Sequence, residues 1–120
     1  MGTAMSNMIE LGKTGDLADG AMKEVTVKGR WFLLARVKDK YYAADGRCPH
    51  MGGKLSFGKL DGTIVTCPRH YSQFDLADGR VIRWTDWAGL KLSLARMMRS
   101  PRPLKTYLVK LEGDRIMAEI

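Results

Sequence analysis

Cys48-Pro49-His50 and Cys67-Pro68-Arg69-His70 decide how the rest of this chain is read. As a pattern they give Cys-x-His, sixteen residues, then Cys-x-x-His. The 120 residues contain two cysteines and two histidines, and all four fall inside this pattern. Two thiolates and two imidazoles are enough to close a metal site. Each pair occupies its own short loop, so two loops must fold toward each other to complete it.

The pairing narrows the choice of metal. Tetrahedral zinc accepts two Cys and two His, but its short pairs are usually Cys-x-x-Cys or His-x₃₋₅-His. Here each pair is mixed. Two irons bridged by sulfides suit a mixed pair, because each loop can give one residue to each iron. A Cys48–Cys67 disulfide is the other reading that two cysteines allow. It would leave both histidines at matching positions by coincidence, as would two ordinary surface histidines.

At these residues the chain resembles the Rieske 2Fe–2S ferredoxin family. The resemblance runs from about Met22 to the C-terminus and is strongest between Asp45 and Arg80. It implies one 2Fe–2S cluster, with Cys48 and Cys67 on one iron and His50 and His70 on the other. Two ferric ions, two sulfides and two thiolates cancel when both imidazoles are neutral. The oxidised cluster is then neutral and the reduced one carries a single negative charge. Histidine ligation therefore raises the potential, within a range of about −150 to +300 mV. The cluster has no open coordination position, so the implied function is electron relay between a reductase and a terminal redox enzyme, not catalysis.

The resemblance also implies neighbours for the cluster. Gly52 and Gly53 let the first loop turn tightly, and main-chain N–H groups there can point at cluster sulfurs. Ser72 occupies the position of a serine that donates to sulfur in the membrane-complex proteins. Phe74 replaces their donating tyrosine. Their two extra cysteines would fall at Gly53 and Arg69, and this chain lacks both. A potential below the membrane-complex type follows. Arg69 adds charge beside a ligand histidine. Tyr71 departs from the Gly that many members of the family have there, and Ser72 from the Trp frequent in the oxygenase members. The ligand imidazoles would face solvent, and their N–H should be more acidic in the oxidised state.

The rest of the chain reads as all-β: a Rieske fold of antiparallel sheets or a sandwich, with a small subdomain of two cluster loops. Expected strands are Met8–Lys13, Met22–Val27, Arg30–Val37, Tyr41–Ala44, Thr63–Thr66, Gln73–Leu76, Arg80–Trp84, Leu104–Leu111 and Arg115–Ile120. Turn signals at Lys28-Gly29, Lys38-Asp39-Lys40, Asp61-Gly62, Asp78-Gly79 and Glu112-Gly113-Asp114 separate them. Trp31-Phe32-Leu33-Leu34-Ala35 is short enough to be a strand buried on both faces. Trp31, Trp84, Trp87, Tyr41 and Tyr42 are expected in the core or half-buried on the sheets. Residues 1–120 are read as a single domain, with the cluster subdomain at about 45–80 and residues 1–7 flexible.

One segment interrupts the strands. Leu90, Leu94, Met97 and Met98 recur at helical spacing, and Pro101 and Pro103 stop the run. A short helix near 89–99 is expected. Lys91, Arg96, Arg99, Arg102 and Lys105 give it a basic face, solvated or docking an acidic redox partner. The net charge of +7 also favours an acidic partner surface.

Met1–Asn7 has no apolar core of a signal peptide, and no stretch approaches the ~20 apolar residues of a membrane span. A cytoplasmic protein is expected. An oxygenase would need a second iron on further histidines, and both are already committed. A small subunit of a nitrite-reductase-like complex is an alternative. Another is a zinc-stabilised nucleic-acid-binding module, although the aromatics form no stacking motif.

Overall fold

The computed structural model describes residues 8–49, 52–68, 71–83 and 102–120. They form ten strands and one 3-10 turn. Six strands make the larger sheet: β1 (Met8–Lys13), β2 (Met22–Val27), β3 (Arg30–Val37), β4 (Lys40–Asp45), β9 (Thr106–Glu112) and β10 (Arg115–Glu119). Its order is β1-β10-β9-β4-β3-β2, antiparallel throughout. The sheet curls until β1 lies against β2, close to a closed barrel. The second sheet carries β5 (Lys59–Asp61), β6 (Ile64–Thr66), β7 (Gln73–Asp75) and β8 (Val81–Arg83), in that order.

Local chemistry sets the hairpins. Val27 pairs with Arg30 across Lys28-Gly29, and both turn residues have positive φ (54° and 76°). That geometry matches the twist of the flanking strands, and glycine adopts it without a Cβ penalty. The β3–β4 turn is tighter than expected. Lys40 already pairs with Val37 and opens β4 instead of belonging to the turn.

Strand β3 is buried on both faces, as its apolar run predicts. Phe32 and Leu34 point into the barrel with Ala43, Ile9, Leu11, Ile116 and Ala118. Leu33 and Ala35 point the other way, with Ala44, Leu55, Val65, Phe74, Leu76 and Leu104. Period-two alternation thus feeds two cores from one strand. Each fully buried Leu or Phe contributes roughly 1.5–3 kcal/mol. The second core is what fastens the smaller sheet to the larger, and it contains Cys48 and Cys67.

One expectation fails, and two elements appear that none of the sequence signals announced. Trp31 is 48% exposed and lies outside both cores. Its place at the start of β3 leaves the ring beside the first loop instead of inside the barrel. Lys59–Asp61 forms a strand that the expected set lacks, just before the turn at Asp61-Gly62. It is a three-residue edge strand in which Leu60 alone is half-buried, too short to show alternation. The 3-10 turn Leu55–Phe57 was also unforeseen. Trp84, Trp87 and the helix expected near 89–99 lie outside the described residues.

Candidate metal centre

The first cysteine loop rises from a stem built on the larger sheet. Asp45 ends β4, and its carboxylate accepts a short hydrogen bond from the Tyr107 hydroxyl on β9. Arg30 Nη2 donates to the same hydroxyl at 2.9 Å. The Tyr107 ring meets Phe32 edge-on, with centroids 5.4 Å apart. Burial, and then the Asp45 carboxylate, push the Tyr107 phenol up to about 12, so it stays a protonated donor. Three elements therefore hold the root of the loop.

Just beyond, Gly46 N–H donates to the Trp31 carbonyl at 3.0 Å. A Cβ at Gly46 would stand 3.2 Å from Trp31 main-chain and side-chain carbons, so the close crossing favours glycine. Arg47 and Lys54 pair as an antiparallel bridge that closes the loop neck. Both reach Glu24 on β2, at 3.2 and 3.4 Å. Arg47 also lies over the Trp31 ring, 4.2 Å from its centroid. The exposed tryptophan is thus a platform for the loop neck.

The second loop lies between β6 and β7. Thr66, the last residue of β6, is held by Gln73 Nε2 at 3.2 Å. Gly58 lets another segment press on this strand end. A Cβ there would sit 1.8 Å from the Thr66 carbonyl oxygen. Below, Asp75 pins the next turn: its carboxylate accepts from Thr63 Oγ1 (2.8 Å) and Ala77 N–H (2.9 Å) and pairs with Arg80 (3.2 Å). The Ala77 N–H, helped by Thr63 and Arg80, holds the Asp75 carboxyl below the usual carboxylate range despite its burial.

The two loops share one construction. In the first, Cys48 N–H donates to the Gly53 carbonyl and Gly52 N–H to the Cys48 carbonyl, both at 2.8 Å. In the second, Cys67 N–H donates to the Ser72 carbonyl at 2.8 Å and Tyr71 N–H to the Cys67 carbonyl at 3.1 Å. The residue four beyond each cysteine has positive φ: Gly52 at 73° and Tyr71 at 61°. For glycine this is free; for tyrosine it costs about 1–2 kcal/mol. Both cysteines are 3% exposed or less, and no disulfide joins them.

This donor set fits a cluster. Two buried cysteines, joined by no disulfide, begin two equivalently built loops over one core, as a ligand bridging them requires. Ser72 is fully buried beside Cys67, and Phe74 is fully buried in the same core. Gly52 makes the tight turn expected of it, at φ 73°, but not by aiming its N–H at sulfur. Its N–H is engaged by the Cys48 carbonyl, so the glycine serves the left-handed turn. Gly53 contributes its carbonyl to the same loop. His50, Arg69 and His70 lie outside the described residues.

Several supports were invisible in the sequence. The Arg30–Tyr107–Asp45 chain and the Glu24 clamp join residues far apart along the chain. Only Tyr71 carried a signal, since it stands four residues after Cys67 as Gly52 does after Cys48.

Comparison with known proteins agrees with this construction. The Rieske [2Fe-2S] domain family matches residues 7–96. The ferredoxin component of the naphthalene 1,2-dioxygenase system of Pseudomonas aeruginosa is 31% identical over 105 residues, 88% of each chain. The biphenyl 2,3-dioxygenase ferredoxin component of Rhodococcus jostii (strain RHA1) is 28% identical over 107 residues, covering 89% of this chain and 87% of that one. The fold is shared with the ferredoxin of carbazole 1,9a-dioxygenase from Nocardioides aromaticivorans IC177. That match has a TM-score of 0.76 at 20% identity and covers 94% of this chain and 97% of the other. By its motif, its paired loops and these relatives, the chain belongs to the Rieske [2Fe-2S] domain family, with a 2Fe–2S cluster as cofactor and electron transport as its function.

Proposed function

We propose that this chain carries single electrons as the ferredoxin component of an aromatic-ring dioxygenase system, between a reductase and a terminal oxygenase. Cys48 and Cys67 would hold one iron, and His50 and His70 the other. The observation that carries this reading is the matched hydrogen-bond pattern of the loops that begin at Cys48 and Cys67. The names of the naphthalene and biphenyl dioxygenase ferredoxin components support the choice of system. When bound, a cluster of this type accepts one electron and passes from neutral to a single negative charge.

The protein's own part is to hold the loops still and keep water from the thiolates. The Tyr107–Asp45 bond and the Glu24 clamp fix the first loop. The Thr66–Gln73 bond and the close Gly58 crossing fix the second. Little main-chain rearrangement is then needed when charge arrives. Ser72, buried next to the second loop, would supply a hydroxyl toward cluster sulfur.

The partner would be an acidic-faced redox protein, matching the net charge of +7. A recess of about 410 Å³ beside Cys67, walled by exposed Phe57 and Tyr71 with Lys59 at its rim, gives such a partner room to approach. The chain would act as one domain of 1–120, with its cluster subdomain at about 45–80. Among the described residues no helix is long and apolar enough to cross a membrane. The likeness to dioxygenase-system ferredoxin components supports a cytoplasmic place for the chain within this proposal.

The test is an anaerobic reductive titration of the iron-loaded protein. Bleaching of its visible bands by one reducing equivalent per chain, and their return on mixing with a dioxygenase oxygenase component, would support the proposal. Absence of visible bands, or uptake of two equivalents per chain, would reject it.

A further inference from the structure

Tyr71 is an aromatic residue in a left-handed conformation, at φ 61°. The other described non-glycine residues with positive φ, Lys28 and Lys38, lie in hairpin turns between paired strands. Tyr71 instead stands directly after His70. Its counterpart in the first loop is a glycine, Gly52. The second loop therefore needs something that the first does not.

The structure supplies it from β8. Arg83 Nε and Nη2 both donate to the Tyr71 carbonyl oxygen, at 3.1 and 3.0 Å. Two charge-assisted bonds from one planar guanidinium fix a carbonyl in direction as well as in place. The register of β8 is arranged to allow this. Phe74 pairs with Val81, but Gln73 pairs with Arg83, so Ile82 is the extra residue of a bulge. Without the bulge Ile82 would stand opposite Gln73. Bulges commonly re-aim a side chain next to a functional site.

We infer that Arg83 is the latch of the second cluster loop: a positioning residue whose guanidinium holds Tyr71 in its left-handed turn and so fixes the main chain that follows His70. The inference rests on the proposed role of His70 as a ligand. Arg83 compensates a strain that glycine would not have. The latch is consequently dispensable when residue 71 is glycine, and needed when it is tyrosine. A side chain that merely stabilised β8 would show no such dependence.

The experiment uses R83M, R83K, Y71G and the R83M/Y71G pair in the full, cluster-loaded chain. Two readouts are taken: the g-values of the reduced protein by electron paramagnetic resonance, and the half-life of the visible bands on warming. R83M should shift the g-values and shorten the half-life several-fold. R83K keeps the charge but not the fork, and should fall between R83M and wild type. Y71G alone should stay near wild type, and added to R83M it should restore both readouts. R83M indistinguishable from wild type, or R83M/Y71G no better than R83M, would overturn the inference. If R83M does not fold, R83K with and without Y71G makes the same comparison. If the wild-type chain takes up no cluster, the functional proposal has failed, and melting temperatures test the latch separately. A larger rise from Y71G in R83M than in wild type then supports it, and an equal rise overturns it.

Discussion

Tyr107→Phe isolates the support under the first loop. The ring is kept, and with it the edge-on contact to Phe32 at 5.4 Å. Only the hydroxyl is removed, and with it the donor to Asp45 and the acceptor for Arg30 at 2.9 Å. Hydrogen bonds to charged groups contribute about 1.5–3 kcal/mol, so a loss of roughly 2 kcal/mol is expected at pH 7. For a domain of this length that lowers the melting temperature by about 8 °C. The pH dependence gives the sign. The folded phenol is held at about 12, above its ordinary value near 10. The stabilisation is therefore whole below pH ~10 and is lost as pH rises through 12. Melts of wild type and variant by circular dichroism should differ fully at pH 8 and converge toward pH 12. A difference under 1 °C at pH 8, or one constant across that range, would refute the reasoning.

Asp75→Asn should cost about 2 kcal/mol at neutral pH, because Arg80, Thr63 and Ala77 lose a charged acceptor. Since the folded carboxyl is held low, its contribution is present above the ordinary carboxylate range and lost as pH falls through the folded value. Acid melts of the two proteins should therefore meet. Gly58→Ala places a Cβ 1.8 Å from a main-chain oxygen, which cannot swing aside. A loss of ~3 kcal/mol is expected, with displacement of Thr66 and poor cluster retention, measured as iron per chain after purification. Ser72→Ala should lower the reduction potential in protein-film voltammetry. An unchanged potential would remove Ser72 from the cluster's hydrogen-bond donors.

The strands were legible wherever composition and period agreed. Trp31-Phe32-Leu33-Leu34-Ala35 announced a strand buried on two faces, because a short apolar run rich in strand formers leaves neither face of the strand polar. Its first residue misled, since aromatic character alone does not place a ring inside. Trp31 faces Arg47, a contact set by the loop neck. Lys59–Asp61 was unreadable because three residues with one half-buried side chain carry no period. The spacing singled out the two cysteines as a pair, and the structure buries both over one core. The supports of the loops were not legible, since Tyr107 to Asp45, Arg47 to Glu24 and Arg83 to Tyr71 are bonds that folding alone brings together. Tyr71 lies between these cases. Its position four after a cysteine was visible, but its conformation became meaningful only beside Gly52.

The central claim is that two histidines and two cysteines share one pair of irons. Pulsed electron–nuclear double resonance on the reduced protein, grown with ¹⁵N-labelled histidine, reads that arrangement directly. Two strongly coupled ¹⁵N nuclei are expected, and both should vanish when only the remaining nitrogens are labelled. A paramagnetic cluster with no histidine coupling, or no paramagnetic signal on reduction at all, would contradict the assignment of His50 and His70.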